Sequence, residues 1–293
     1  NRFTSEDKAK YSCSKSDCIV RITQIIVRLR LKSAGDLPEM NRSLRVLVLL
    51  LLLIFTACTP AGQPELEEPI DILFIGNSYT FVNDLPEIFA GLAEAGDHSV
   101  NVTALAKAGY SLNDHAEDPQ AHEVIQGNNW DYVILQEKSS LPVLDKKLMT
   151  QGVSRLLELA AGPDTDMILF MPWAYQTGFP EAGMDDYQAM QSEVAETYLN
   201  LARDFDITVA PVGLSWQAAL DRNPQLDLWS IDGSHPSLLG SYLAANTVYA
   251  LIFHENPTGL RNPETDTADI EILGMLGEIA AEIVLGDPGK WRP

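Results

Sequence analysis

Cysteine is nearly absent, with three in 293 residues, at positions 13, 18 and 58. Beyond Cys58 there is none, so no disulfide can staple the body of the chain, and an ordinary apolar core must hold it. About 220 residues suffice for one. Basic residues are scarce as well. Residues 1–58 carry 10 of the 20 Lys and Arg but only 5 of the 41 Asp and Glu, which leaves 10 against 36, a net charge of −26, for the rest. So acidic a body repels nucleic acid and anionic membrane surfaces. No Gly-rich phosphate loop and no zinc-ligand spacing appears, so no cofactor or metal is expected. There is no internal repeat. A continuous hydrophobic run does occur over Val46–Phe55, but it is short of the ~20 residues a spanning helix needs.

That short run has its own reading. Met40 is the first methionine, Arg42 and Arg45 precede the run, and Thr56-Ala57-Cys58 follows it. This is the layout of a secretory signal. The ending "FTAC" resembles a bacterial lipoprotein signal, which implies residues 40–57 as signal peptide, lipidation at Cys58 and an exported, membrane-tethered protein. The alternative is an ordinary signal peptide or an N-terminal anchor in which Cys58 is incidental. Residues 1–39 are expected to precede the true start and stay outside the fold argument. Residues 58–69, "CTPAGQPELEEP", are rich in Pro and Glu without periodicity and read as a tether.

From Ile70 to the end, short apolar runs alternate with helical patterns, as expected of a single domain over 70–293. "DILFIGN", "HSVNVTALA", "DYVILQ", "DMILFMPW" and "ITVAPVG" are strand-like. Between and after them lie helical stretches, including "LPEIFAGLAEAG", "LDKKLMTQGVSRLLELAA", "DDYQAMQSEVAETYLNLARDF", "SWQAALDR", "PSLLGSYLAANTVYALIF" and residues 268–284. Continuous apolar strands separated by helices predict a parallel sheet covered on both faces, an α/β/α sandwich. Five strands in this alternation predict the flavodoxin-like order 2-1-3-4-5. Ligands of such sheets sit beyond the carboxyl ends of the strands, so the residues just after each strand carry the chemistry.

Those residues are Ser78 after the first strand, Gly109 after the second, Gln136 after the third, and Trp173 and Tyr175 after the fourth. Asp232 and His235 stand before a late helix. Each alone has a bland reading: Ser78 as a helix cap, Gly109 as a turn, Gln136 as a loop amide, Asp232 and His235 as a solvated pair. Taken together and in this order they resemble the SGNH (GDSL-like) hydrolase superfamily, over almost all of residues 70–253. Gly76-Asn77-Ser78 matches its first block, Gly109 its second, and Asp232-x-x-His235 its last. The resemblance implies Ser78 as nucleophile, His235 as base and Asp232 as its orienter, with the N–H groups of Ser78 and Gly109 as oxyanion donors. The chain departs from the family twice. Asn77 replaces an aspartate, and "LQEKSS" replaces a stretch that carries an asparagine, so the carboxamide of Gln136 is expected to donate to the oxyanion instead.

The chemistry agrees with the resemblance. Serine is a poor nucleophile unless a base takes its proton. Imidazole suits that task at neutral pH, and a carboxylate fixes its tautomer. Ser78 is expected to open a helix whose dipole favours negative charge. Trp173 and Tyr175 either stack on a sugar ring or belong to the core. His115 and His122 are expected on a solvated helix face. The expected activity is hydrolysis of an acyl ester, with O-acetyl removal from a carbohydrate as the preferred substrate class. An acyltransferase with the same residues, a catalytically silent glycan-binding protein and a purely structural surface protein are the alternatives.

Overall fold

The computed structural model describes residues 68–160, 162, 165–261 and 269–292. The proposed signal at 40–57, the lipidation site Cys58, residues 1–39 and all but the last two residues of the tether lie outside them. Five strands, β1 (Ile70–Gly76), β2 (Val100–Ala106), β3 (Tyr132–Leu135), β4 (Asp166–Phe170) and β5 (Thr208–Ala210), form one sheet. Its order is β2-β1-β3-β4-β5, and every pairing is parallel. The expected fold class and strand order are therefore present. Parallel strands buried on both faces must be apolar throughout. In β1, Ile72–Ile75 are at most 1% exposed.

Helices cover both faces. On one, α2 (Leu85–Ala95), α8 (Val212–Arg222), α9 (Leu238–Phe253) and α10 (Ile270–Leu285) pack against one another; on the other lie α3 (Leu112–Glu117), α4 (Pro119–Gly127), α5 (Leu141–Leu144), α6 (Lys146–Ala160) and α7 (Tyr187–Phe205). The four-residue α1 (Ser78–Phe81) follows β1 directly. Helix α9 is buried from Gly240 to Ile252, which explains why its sequence is apolar all round instead of striped. Among the described residues no helix is long and apolar enough to cross a membrane.

Two strands end earlier than the sequence pattern predicts. β4 stops at Phe170 and β5 at Ala210, although apolar residues continue. Pro172 and Pro211 explain both, because proline has no N–H for the ladder. After Pro211 the chain turns at once into α8. After Phe170 the segment Met171–Ala174 runs on as buried irregular backbone. That detour determines the fate of Trp173.

Candidate active site

The carboxyl end of β1 is anchored by the side chains of Gln136 and His115 and by the backbone of the loop after β2. Gly76 permits this: a Cβ there would meet Thr80 Oγ1 at 2.2 Å and Gln136 Oε1 at 2.7 Å. The next residue, Asn77, is 3% exposed and bonds through its N–H and through both polar atoms of its side chain. Its N–H donates to Gln136 Oε1 (3.0 Å), its Nδ2 donates to the Tyr110 carbonyl (3.0 Å), and its Oδ1 accepts from the Tyr79 N–H (3.1 Å). The last bond caps α1 and leaves half-buried Ser78 as its first residue.

The loop after β2 is tied to the same place. Lys107 N–H donates to the Gly76 carbonyl (3.2 Å), and Tyr110 N–H closes a turn onto the Lys107 carbonyl (3.1 Å). Gly109 sits at the third position of that turn with φ +73°, a conformation glycine adopts without strain. The N–H groups of Ser78 and Gly109 find no acceptor among the described residues. Because α1 is only four residues long, these free N–H groups, not a helix dipole, provide the positive character expected at Ser78.

Opposite them stands the Asp232–His235 turn. His235 Nε2 lies 2.9 Å from Ser78 Oγ, and His235 Nδ1 lies 2.6 Å from Asp232 Oδ2. The other oxygen, Asp232 Oδ1, accepts the N–H groups of Ser234 and His235, both at 2.9 Å. The bond from the His235 ring, reinforced by those two N–H groups, pulls the Asp232 carboxyl down to about 2. An ionised Asp232 accepts the hydrogen bond of Nδ1–H and so leaves the Nε2 lone pair for the serine hydroxyl. The turn is closed by Gly233 N–H on the Ser230 carbonyl and by Ser230 N–H on the His235 carbonyl. The site is open to solvent, with side-chain exposure of 35% for His235 and 48% for Asp232. Ser78, Asp232 and His235, 157 positions apart at their extremes, thus meet in one hydrogen-bonded row.

Two expected roles do not survive. Gln136 is 1% exposed, and its Oε1 accepts from Asn77 N–H and from Thr80 Oγ1 (2.9 Å), while its Nε2 donates to the Glu137 carbonyl. It lies under the turn that carries Ser78 and is not an oxyanion donor. Trp173 is fully buried, stacked between Tyr79 (4.7 Å between ring centroids) and Trp216 (4.2 Å), and its Nε1 donates to the Ser234 carbonyl. It cannot touch a substrate. Tyr175 remains half-buried at the rim, where its hydroxyl meets Ser139 Oγ at 2.9 Å.

His115 is likewise not on a solvated face. It is buried, and its Nε2–H donates to the Gly76 carbonyl (2.7 Å). Burial holds its ring below the usual histidine range, and Nδ1 has no partner. His122 is half-buried and donates to the Ala116 carbonyl. Among the described residues no three His, Cys, Asp or Glu side chains form a group able to hold a metal ion. Sequence reasoning missed Tyr79, Ser234, Thr80 and Glu137. The first two adjoin Ser78 and His235 in the chain, and that adjacency was the available signal. Nothing local marks Thr80 or Glu137.

No family model matches the sequence, and no curated protein is similar to it. Solved structures are similar. A provisionally assigned SGNH hydrolase from Slackia heliotrinireducens shares 27% identity at a TM-score of 0.53, over 61% of this chain and 96% of that one. A DUF4886 family protein from Bacteroides uniformis shares 20% identity at a TM-score of 0.63, over 75% of this chain and 96% of that one. With its five-stranded parallel sheet, its strand order and this likeness, the chain has the fold of the SGNH (GDSL-like) hydrolase superfamily.

Proposed function

We propose that the protein is a serine ester hydrolase with Ser78 as nucleophile, His235 as general base and acid, and Asp232 as the orienting carboxylate. The single observation that carries this reading is the unbroken row Ser78 Oγ–His235 Nε2 (2.9 Å) and His235 Nδ1–Asp232 Oδ2 (2.6 Å). His235 takes the Ser78 proton as Oγ bonds to the ester carbonyl carbon. The resulting oxyanion is met by the free N–H groups of Ser78 and Gly109, a donor of this kind typically contributing ~10²–10³ in rate. His235 Nε2–H then protonates the departing alkoxide, which leaves as an alcohol, and an acyl-serine remains. Water, deprotonated by the same nitrogen, adds to the acyl carbon; the acyl–Oγ bond then breaks, Nε2–H returns its proton to Ser78 Oγ, and the acid leaves.

The preferred substrate is a short acyl ester, such as O-acetyl, on a polyhydroxylated alcohol. The cleft beside Gly109 supports this. It is about 540 Å³ and is lined by Tyr110, Asp114, Glu117 and Asp118, which suit a hydroxyl-rich group better than a long alkyl chain.

Treatment of the protein with a fluorophosphonate, followed by peptide mass spectrometry, tests the assignment. The adduct is expected on Ser78 and is expected to vanish in His235→Ala. A protein that takes no label and leaves p-nitrophenyl acetate intact overturns the reading.

A further inference from the structure

The residues next to the nucleophile and the base also meet. Tyr79 follows Ser78, and Ser234 precedes His235. The Tyr79 hydroxyl lies 2.7 Å from Ser234 Oγ. Two hydrogen bonds therefore run side by side between the same two segments, one between the reacting groups and one between their chain neighbours. We propose that Tyr79 and Ser234 form a latch that sets the distance between Ser78 and His235, which makes both of them positioning residues for the ester hydrolysis proposed above. The inference rests on that reading.

The surroundings favour a rigid latch over an incidental contact. Tyr79 is 3% exposed and stacks nearly parallel on Trp173, with 7° between the ring planes. Trp173 stacks in turn on Trp216, and Trp216 meets Trp229 edge to face at 5.4 Å. Trp229 lies at the foot of the base turn, bridged to Pro236, and its Nε1 donates to the Ala174 carbonyl (3.1 Å). Ser234 is gripped twice by this column: its Oγ by Tyr79 and its carbonyl by Trp173 Nε1–H (2.9 Å). Burial holds the Tyr79 phenol far above its ordinary range, so the hydroxyl keeps its proton at any pH at which the enzyme works. The Tyr79 ring also meets the His235 ring edge to face, with centroids 5.6 Å apart.

The turn benefits from such a grip because, although backbone bonds close it on itself, it lies outside the sheet and helices. Its side chains are half exposed, and Ile231 at its tip is fully exposed. Regular structure fixes Ser78, whereas a six-residue excursion between the bridged residues Trp229 and Pro236 carries His235. Misplacing a reacting group by ~1 Å can cost ~10²-fold in rate, so a hydrogen bond that removes this freedom acts on kcat and leaves substrate binding alone.

The test measures p-nitrophenyl acetate turnover by Tyr79→Phe, Ser234→Ala, the double variant and Ser234→Thr, beside wild type. Tyr79→Phe keeps the ring stack and deletes one oxygen, so its melting temperature is expected close to that of wild type. kcat is expected to fall about 10-fold or more in both single variants, with KM within about twofold. The double variant is expected to fall no further, because the two groups share one bond. Ser234→Thr, which keeps the hydroxyl, is expected to recover most of the rate. If wild type carries the fluorophosphonate on Ser78 yet Tyr79→Phe and Ser234→Ala turn over at its rate, the latch is overturned and the hydrolase reading stands. Additive losses in the double variant also overturn it. A wild type that is neither labelled nor active overturns the hydrolase reading and the latch with it.

Discussion

Ser78 stands on a buried lattice, whereas His235 stands on an exposed turn. Under the serine, Asn77, Thr80, His115, Gln136 and Glu137 are each at most 3% exposed. They bond the ends of β1 and β3 and the loop after β2 to one another. Around the histidine, backbone bonds within a short exposed loop and side-chain bonds onto it replace the buried polar lattice, and an aromatic column lies behind it. A buried polar group is costly to leave unpaired, on the order of 1–3 kcal/mol, whereas an exposed ion pair contributes at most about 1 kcal/mol. Damage to the two halves should therefore be read with different instruments: stability for the serine side, rate for the histidine side.

Asp232→Asn gives the largest expected effect. The Asn Oδ1 can still accept the N–H groups of Ser234 and His235, so the turn should keep its shape. Its Nδ2, however, presents a donor to His235 Nδ1. The ring must then accept at Nδ1 and carry its proton on Nε2, where it can no longer take one from Ser78. kcat is expected to fall ~10³–10⁴-fold, while stability changes by less than about 1 kcal/mol, because the Asp232 side chain is half exposed. Turnover assayed beside thermal melting separates these. A variant that melts far below wild type, or that keeps a tenth of its activity, breaks the contrast between the halves.

Gln136→Ala should reverse the signature. The change leaves Asn77 N–H and the Thr80 hydroxyl without their acceptor and opens a cavity beneath the turn. Two unpaired buried groups cost about 4 kcal/mol together. For a domain of this size each kcal/mol shifts the midpoint by roughly 2–4 °C, so melting is expected to fall by about 10 °C. Had Gln136 been an oxyanion donor, stability would hold and kcat alone would drop. A calorimetric scan with a p-nitrophenyl acetate assay on the same preparation distinguishes the two.

Which parts were legible follows from the same division. The strands and their order were readable because burial on both faces forces continuous apolar runs, and "ILFI" and "YVIL" leave no other reading. Ser78, Asp232 and His235 were readable because their types and spacing are specific as a set. Gln136 was misread since sequence places a side chain at a strand end but does not say whether it points out into the cleft or down beneath the turn. Gly76, with no Cβ, admits it from below. Trp173 was open to two readings because the segment after β4 looks like any rim loop. Only the irregular run through Pro172 turns it inward. Tyr79 and Ser234 went unread for another reason: their meeting depends on two segments lying parallel in space, which no local pattern encodes.

The buried side holds one more group that sharpens the comparison. Glu137 is fully buried. Its Oε1 accepts the N–H groups of Leu112 (3.1 Å) and Lys138 (2.6 Å), and its Oε2 has no partner. Burial pushes its carboxyl up to about 7, against an ordinary value of 4.5. A folded-state value above the unfolded one means that the native protein holds the proton more tightly. The stabilisation is complete below about pH 4.5 and is lost as pH rises through 7, by linkage a contribution on the order of 3 kcal/mol at its fullest. Asp232, with its value depressed to about 2, has the opposite sign, and its stabilisation is lost only in strong acid. Between pH 5 and 8 the two halves thus respond differently: the serine side weakens and Asp232 stays ionised. Glu137→Gln keeps an acceptor for Leu112 N–H and has no proton to lose. Melting curves at pH 5 and pH 8 should show wild type losing more stability than the variant over that interval. Equal losses would mean that the Glu137 carboxyl does not titrate there.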